Sequence, residues 1–300
     1  MKILSVCLSL FLGFTAQAQS SIDSLQLIKD IRTLSSDKFE GRRVGTKGSR
    51  LAQFYLKDRF TQIGIQPYHN TYEYPFYFQE GDKKVMGTNL FGYIKGKSDS
   101  IIVVSAHYDH LGISKSQDSK DSIYNGADDN ASGVGALLAI AAYYKKHTPE
   151  HTLIIVAFDG EEEGLQGAKA FLQTPPVTTS LMVLNINMDM ISRNDKNELY
   201  VCGLTQFPQL KRFVDAATGG SSKVKLLSGH DRKEDGGGNW INQSDHYEFY
   251  KIKIPALYFG VEDHPDYHKR SDEFENIQPS FYYQAAQRVL KVLQAADKGI

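Results

Sequence analysis

Three apolar runs in this chain end abruptly in side chains that can move protons or hold cations. The stretch "IIVVSAHYDHLG" delivers His107 and Asp109, "LIIVAFDGEEEGL" delivers Glu161 and Glu162, and "VLNINMDMIS" delivers Asp189. Two further stretches that read as loops carry the same chemistry, with Asp128 and Asp129 in "NGADDNASG" and His268 in "EDHPDYHKRSDEF". Brought together, that many buried anions would repel one another and raise their own pKa values, so a multivalent cation is the economical explanation. Mixed imidazole and carboxylate donors favour zinc or a close relative over calcium or magnesium. Two histidines and three carboxylates suit a pair of ions about 3.5–4 Å apart that share one bridging carboxylate, and a further carboxylate must then stay unligated to act as a base. Singly, a histidine after a strand is more often structural and a Glu-Glu pair is usually a solvated turn; their joint placement carries the reading.

What must position these groups is a set of strands whose ends lie side by side. Strand-like runs cover 89–96, 101–106, 153–158, 182–187, 199–203 and 256–260, and helical spacing covers 22–34, 49–63, 132–146, 206–218 and 279–296. Continuously apolar strands alternating with helices are buried on both faces, which predicts a single α/β domain with a mostly parallel, mixed central sheet flanked by helices. In open sheets of this class, sites form outside the carboxyl ends of the strands. His107, Glu161, Glu162 and Asp189 all fall there.

Near-balanced charge, Lys+Arg 34 against Asp+Glu 35, gives no reason to expect nucleic acid as a partner. The opening "MKILSVCLSLFLGFTAQAQS" pairs one early lysine with a short apolar stretch and the small-x-small pattern Ala16-Gln17-Ala18. It reads as a signal peptide over residues 1–18, cleaved near Ala18, which predicts export to the periplasm or beyond and leaves 19–300 as the catalytic domain. Val6 precedes Cys7 where lipoprotein processing prefers a small residue, so simple cleavage is expected. No later run of about 18 apolar residues predicts a membrane span. Cleavage would leave Cys202 alone, so no disulfide framework is available.

"AHYDHLG", "GADDNASG", "DGEEEGLQG", "NMDM" and "DYHKRSD", in this order, resemble the secreted di-zinc aminopeptidases of metallopeptidase clan MH, the group of bacterial leucyl aminopeptidases and aminopeptidase S. The resemblance runs from about 38 to 295 and implies a zinc-exopeptidase, phosphorylase/hydrolase-like fold holding two Zn2+ per chain. It implies that His107 and Asp189 share one zinc, Glu162 and His268 the other, and that Asp129 bridges both. Glu161 would be the general base, Tyr267 would stabilise the developing oxyanion, and Asp109 would orient the His107 imidazole. The implied reaction is hydrolysis of the N-terminal bond of a peptide substrate by a zinc-activated water, with a preference for apolar or uncharged first residues.

The chain departs from the family pattern in "NQSDHYEFYKIKIPALYF", with Gln243 where arginine is common and Lys253 where glycine is common. His246, in the family-like "SDH", is a candidate pocket residue; His69, His110, His147, His151, His230 and His264 read as surface or hydrogen-bonded histidines. The segment 229–240 reads as a loop, either rimming the cleft or simply solvated. Alternatives on the same fold are a glutaminyl cyclase-like enzyme with one zinc, a carboxypeptidase and a non-catalytic binding domain. The last would be expected to lack Glu161 or several ligands.

Overall fold

The computed structural model describes residues 21–114 and 121–300, so the stretch read as a signal peptide lies outside the described residues. Helix α1 (Ser24–Leu34) starts where the Asp23 carboxylate accepts the N–H groups of Leu25 and Gln26. Helix α2 (Lys47–Ile63) starts at Thr46 and ends at Gly64, whose φ of 82° is the left-handed C-cap that glycine adopts without strain. The chain then runs through β1 (Gln66–Pro67), β2 (Glu73–Glu80), β3 (Lys83–Ile94), β4 (Ile101–His107), β5 (Gly112–Ile113), β6 (Ile123–Tyr124), α3 (Gly133–Lys146) and β7 (Thr152–Phe158). It continues through α4 (Gln166–Gln173), β8 (Met182–Met188), β9 (Glu198–Cys202), α5 (Lys211–Ala216), β10 (Lys225–Ser228), α6 (His246–Lys251), β11 (Ala256–Gly260) and α7 (Pro279–Gly299).

The main sheet has nine strands in the order β1-β3-β7-β4-β8-β11-β9-β10, with β2 also paired to β3. Its centre is parallel: β7, β4, β8 and β11 run side by side, and antiparallel pairing enters only at β3 and β9. The period-2 alternation of β4 divides its side chains between two cores. Ile102, Val104 and Ala106 pack with α1, α2, α3 and α7, while Ile101 and Val103 share the opposite core with Phe171 of α4 and Phe249 of α6. A sheet covered on both faces is the predicted architecture, and its four central strands end together at His107, Phe158, Met188 and Gly260.

Several elements differ from the sequence reading. β2 is an unread edge strand that runs through Pro75, which an outer strand tolerates because a residue lacking an N–H can face the unpaired side. Over 206–218 only Lys211–Ala216 is α-helical; a 3-10 turn, Pro208–Leu210, precedes it, and the chain enters that turn where Asp231 accepts the N–H groups of Gly203 and Thr205. The helix expected from 132 begins at Gly133, after a wider turn, Ala127–Ser132, in which the Asp128 and Asp129 amides donate to the Asp272 carboxylate. Among the described residues, no helix is long and apolar enough to cross a membrane.

Candidate active site

Five chain segments bring the predicted ligands to one place. His107 is the last residue of β4, Asp129 lies in the turn before α3, Glu161 and Glu162 in the turn after β7, Asp189 directly after β8, and His268 in the loop after β11. Asp129 sits between two groups. Its Oδ1 is 3.4 Å from His107 Nε2, which in turn is 3.2 Å from Asp189 Oδ1. Its Oδ2 is 3.1 Å from His268 Nε2, which is 3.2 Å from Glu162 Oε2. One carboxylate thus faces two donor sets with separate oxygens. Glu161 Oε2 lies 3.9 Å from His107 Nε2 without a closer partner in the cluster, and the donor atoms of His107, Glu161 and Asp189 fall within 4.8 Å of one another.

A layer of buried polar groups fixes this geometry. Asp109 does more than the orienting role expected of it: its backbone carbonyl is 3.2 Å from His107 Nδ1, closer than its carboxylate at 3.6 Å. The carboxylate instead spans the turn after β7, accepting the N–H groups of Glu161 and Glu162 at 3.1 and 3.3 Å. Asn130 joins the Asp129 turn to the end of β8, donating to the Met188 carbonyl and accepting from Gly133 and Met190. Asp128 accepts from the Ser192 amide and meets His264 Nε2 at 3.0 Å, so His264 braces the cluster rather than facing solvent. Gly126 has φ 55°, and any side chain there would strike the Asp129 carbonyl and the His110 ring.

Two buried residues of the site escaped the sequence reading. His110 is 1% exposed and its Nδ1 lies 2.8 Å from Glu162 Oε1, so it holds the oxygen that His268 does not. His110, Asp129 and Glu162 form a second group of convergent donors. Its only sequence signal was its place one residue after Asp109. Arg42 is fully buried and donates to the carbonyls of Leu34, Tyr108, Asn125 and Gly126, with no carboxylate among those partners. Burial holds its pKa down, to about 10, against the opposing pull of Asp129 and Asp272.

The donor set suits divalent cations. Burial raises the Asp129 and Glu161 carboxyls, and neighbouring carboxylates add to the rise in both. For His107 and His268 burial works in the opposite direction but is outweighed: the Asp189 and Glu161 charges push His107 well up, and Asp129 and Glu162 push His268 to about 10. Such a cluster borrows protons to offset its own charge, which is what cations would replace. A cavity of about 400 Å³ opens over it, lined by Asp129, Glu161, Glu162, Asp189, Tyr267 and His268 and by no lysine or arginine.

The other candidates divide. Tyr267 stacks on His268 with ring centroids 4.0 Å apart and lines the cavity; burial raises its pKa far enough to keep the hydroxyl protonated. Gln243 lines the cavity as well. His246 is buried behind the wall, stacked on Tyr258 at 4.7 Å, and it is Tyr258 that faces the cavity. Of the 229–240 segment, Trp240 forms part of the rim, stacked on His230 at 3.7 Å.

A mixed sheet with this cluster at its strand ends matches a known family. The sequence matches Peptidase family M28 over residues 89–293, and the chain belongs to that family. A curated relative, the alkaline phosphatase isozyme conversion protein of Escherichia coli, is 29% identical over 168 residues, covering 53% of this chain and 49% of its own length. The chain therefore spans about half the length of that relative. Among solved structures, a leucine aminopeptidase precursor from Bacteroides thetaiotaomicron is similar with a TM-score of 0.74 at 20% identity, covering 91% of this chain and 97% of that one. A glutaminyl cyclase from Porphyromonas gingivalis is similar with a TM-score of 0.75 at 17% identity, covering 91% and 98%. At these identities the structural likeness establishes the fold, and it does so equally for a peptidase and a cyclase.

Proposed function

We propose that this protein is an exported zinc aminopeptidase that removes the first residue of peptides with a free N-terminus, using two zinc ions per chain. The observation that carries the reading is Asp129, whose two oxygens face His107 with Asp189 on one side and His268 with Glu162 on the other. Zinc bound to those two sets would supply Lewis acidity, polarising the scissile carbonyl and acidifying a water. Glu161, paired to no cation side chain closer than 3.9 Å, takes the proton from the attacking water onto its carboxylate and returns it to the leaving amine. Tyr267 donates its hydroxyl proton in a hydrogen bond to the oxygen on which charge develops. Asp109 keeps Glu161 and Glu162 in register by holding both backbone amides, so base and ligand cannot shift independently.

Elemental analysis of the purified protein should give two zinc per chain. Short unblocked peptides should lose their first residue, while N-acetylation or a zinc chelator should abolish the release. Cleavage of acetylated peptides from the C-terminal end would instead make the protein a carboxypeptidase. An N-terminal glutaminyl peptide that forms pyroglutamate without releasing a residue, with one zinc bound, would make it a cyclase. Export is tested separately by N-terminal sequencing of the protein recovered outside the cytoplasm, where the chain should begin just after Ala18.

A further inference from the structure

Beyond the ligand cluster, the cavity wall carries one charge without a partner. Asp263 lines the cavity, is exposed, and makes no hydrogen bond or ion pair among the described residues. Its segment is tied down on both sides: the Val261 amide donates to the Met190 carbonyl at 2.9 Å, and His264 Nε2 meets Asp128 Oδ2 at 3.0 Å. The neighbouring carboxylate, Glu262, is engaged by Lys196 at 3.4 Å. The backbone that carries Asp263 is thus anchored on both sides. The lining holds no lysine or arginine, and its one imidazole, His268, is taken by Asp129 and Glu162, so no cationic side chain of the wall is paired with Asp263. Asp129, Glu161, Glu162 and Asp189 would be balanced by two divalent ions, whereas the charge of Asp263 would remain.

The rest of the wall suits a long cationic side chain. Trp240 and Tyr258 contribute aromatic surface, each held by stacking on a histidine, and Gln243 contributes a neutral amide. Aromatic rings take up the aliphatic stem of lysine or arginine, and a carboxylate in the same wall can pair with the charged head. We propose that Asp263 selects the first residue of the substrate, favouring peptides that begin with lysine or arginine over those that begin with an apolar residue. This rests on the aminopeptidase reading, and it departs from the apolar preference that the family resemblance implies.

The test separates the two claims. Calorimetric titration of the zinc-loaded protein with L-lysine and with L-norleucine, which has the same chain without the ammonium group, needs no turnover. Lysine should bind about tenfold more tightly, and the difference should disappear in Asp263→Asn and in Gln243→Arg, which adds a competing cation. The ratio of kcat/KM for lysyl over norleucyl anilide should fall by a similar factor in Asp263→Asn. Equal binding of the two amino acids by the unaltered protein, or a loss in Asp263→Asn that is the same for both, would overturn the proposal. If no anilide is cleaved at all, the aminopeptidase reading fails, and the lysine and norleucine titrations still decide the role of Asp263.

Discussion

Glu161 and Glu162 are consecutive residues of one turn with different surroundings, and their substitutions should separate accordingly. Glu162 is gripped by two imidazoles, which override the upward push of burial and hold its pKa far below the usual carboxylate range. Glu162→Gln should therefore lose zinc, seen as a substoichiometric content after dialysis. Glu161→Gln should keep full zinc occupancy yet lose kcat by about 10²–10⁴-fold, the range for a missing general base. Near-normal turnover in a fully loaded Glu161→Gln protein would remove Glu161 from that role. His246 supports a prediction of another kind. Burial depresses its pKa from 6.5 to about 3, so the folded protein refuses a proton that the unfolded chain accepts. Its contribution to stability is therefore intact above about pH 6.5 and is lost as pH falls towards 3. His246→Phe, which can keep the stacking on Tyr258, should match the parent at pH 7.5 and exceed it by about 2 kcal/mol at pH 5 in denaturant titrations. An unchanged difference between the two pH values would show that His246 titrates normally.

At the level of elements, the site is an assembly of turns held in common rather than a surface of one strand or helix. The Arg42 guanidinium, at the end of the 3-10 segment Asp37–Arg42, binds the carbonyl that follows His107 and the carbonyls of Asn125 and Gly126 that precede Asp129. It thereby links α1, the end of β4 and the approach to α3. Replacing it with methionine keeps the apolar stem but leaves four buried carbonyls without this donor. Unsatisfied buried acceptors cost about 1–3 kcal/mol each before relaxation, so Arg42→Met should destabilise the fold by at least about 3 kcal/mol and lower the melting temperature by several degrees. A melting temperature within a degree of the parent would mean that water replaces the guanidinium at little cost.

For the whole molecule, the two packed cores leave the cysteine chemistry silent. Cys202 is fully buried at the end of β9, and burial, reinforced by the nearby Asp231 and Asp235 charges, lifts its thiol well above the ordinary range. Because the thiolate is the reactive form, a chain beginning at residue 19 should show no accessible thiol towards Ellman's reagent when folded and one per chain in denaturant. Rapid labelling under native conditions would mean that the sheet opens at β9 and the edge strand β10 on the timescale of the assay.

The sequence by itself determined the strand cores, because runs such as 101–106 and 153–158 are too apolar to sit anywhere but between two covering layers. It also marked the candidate site residues, since His107, Asp129, Glu161, Glu162, Asp189 and His268 stand out by abrupt polarity at strand ends and by ordered motifs. What only the tertiary structure decided depends on pairings across long separations. His110 looked like any other histidine until the turn after β7 brought Glu162 to its Nδ1. Arg42 lies 66 residues before the Tyr108 carbonyl it binds, and no local pattern marks a cation whose partners are all backbone carbonyls. The Asp263 charge is distinguished only by what is missing around it, and a missing partner is a property of packed space rather than of neighbouring residues along the chain.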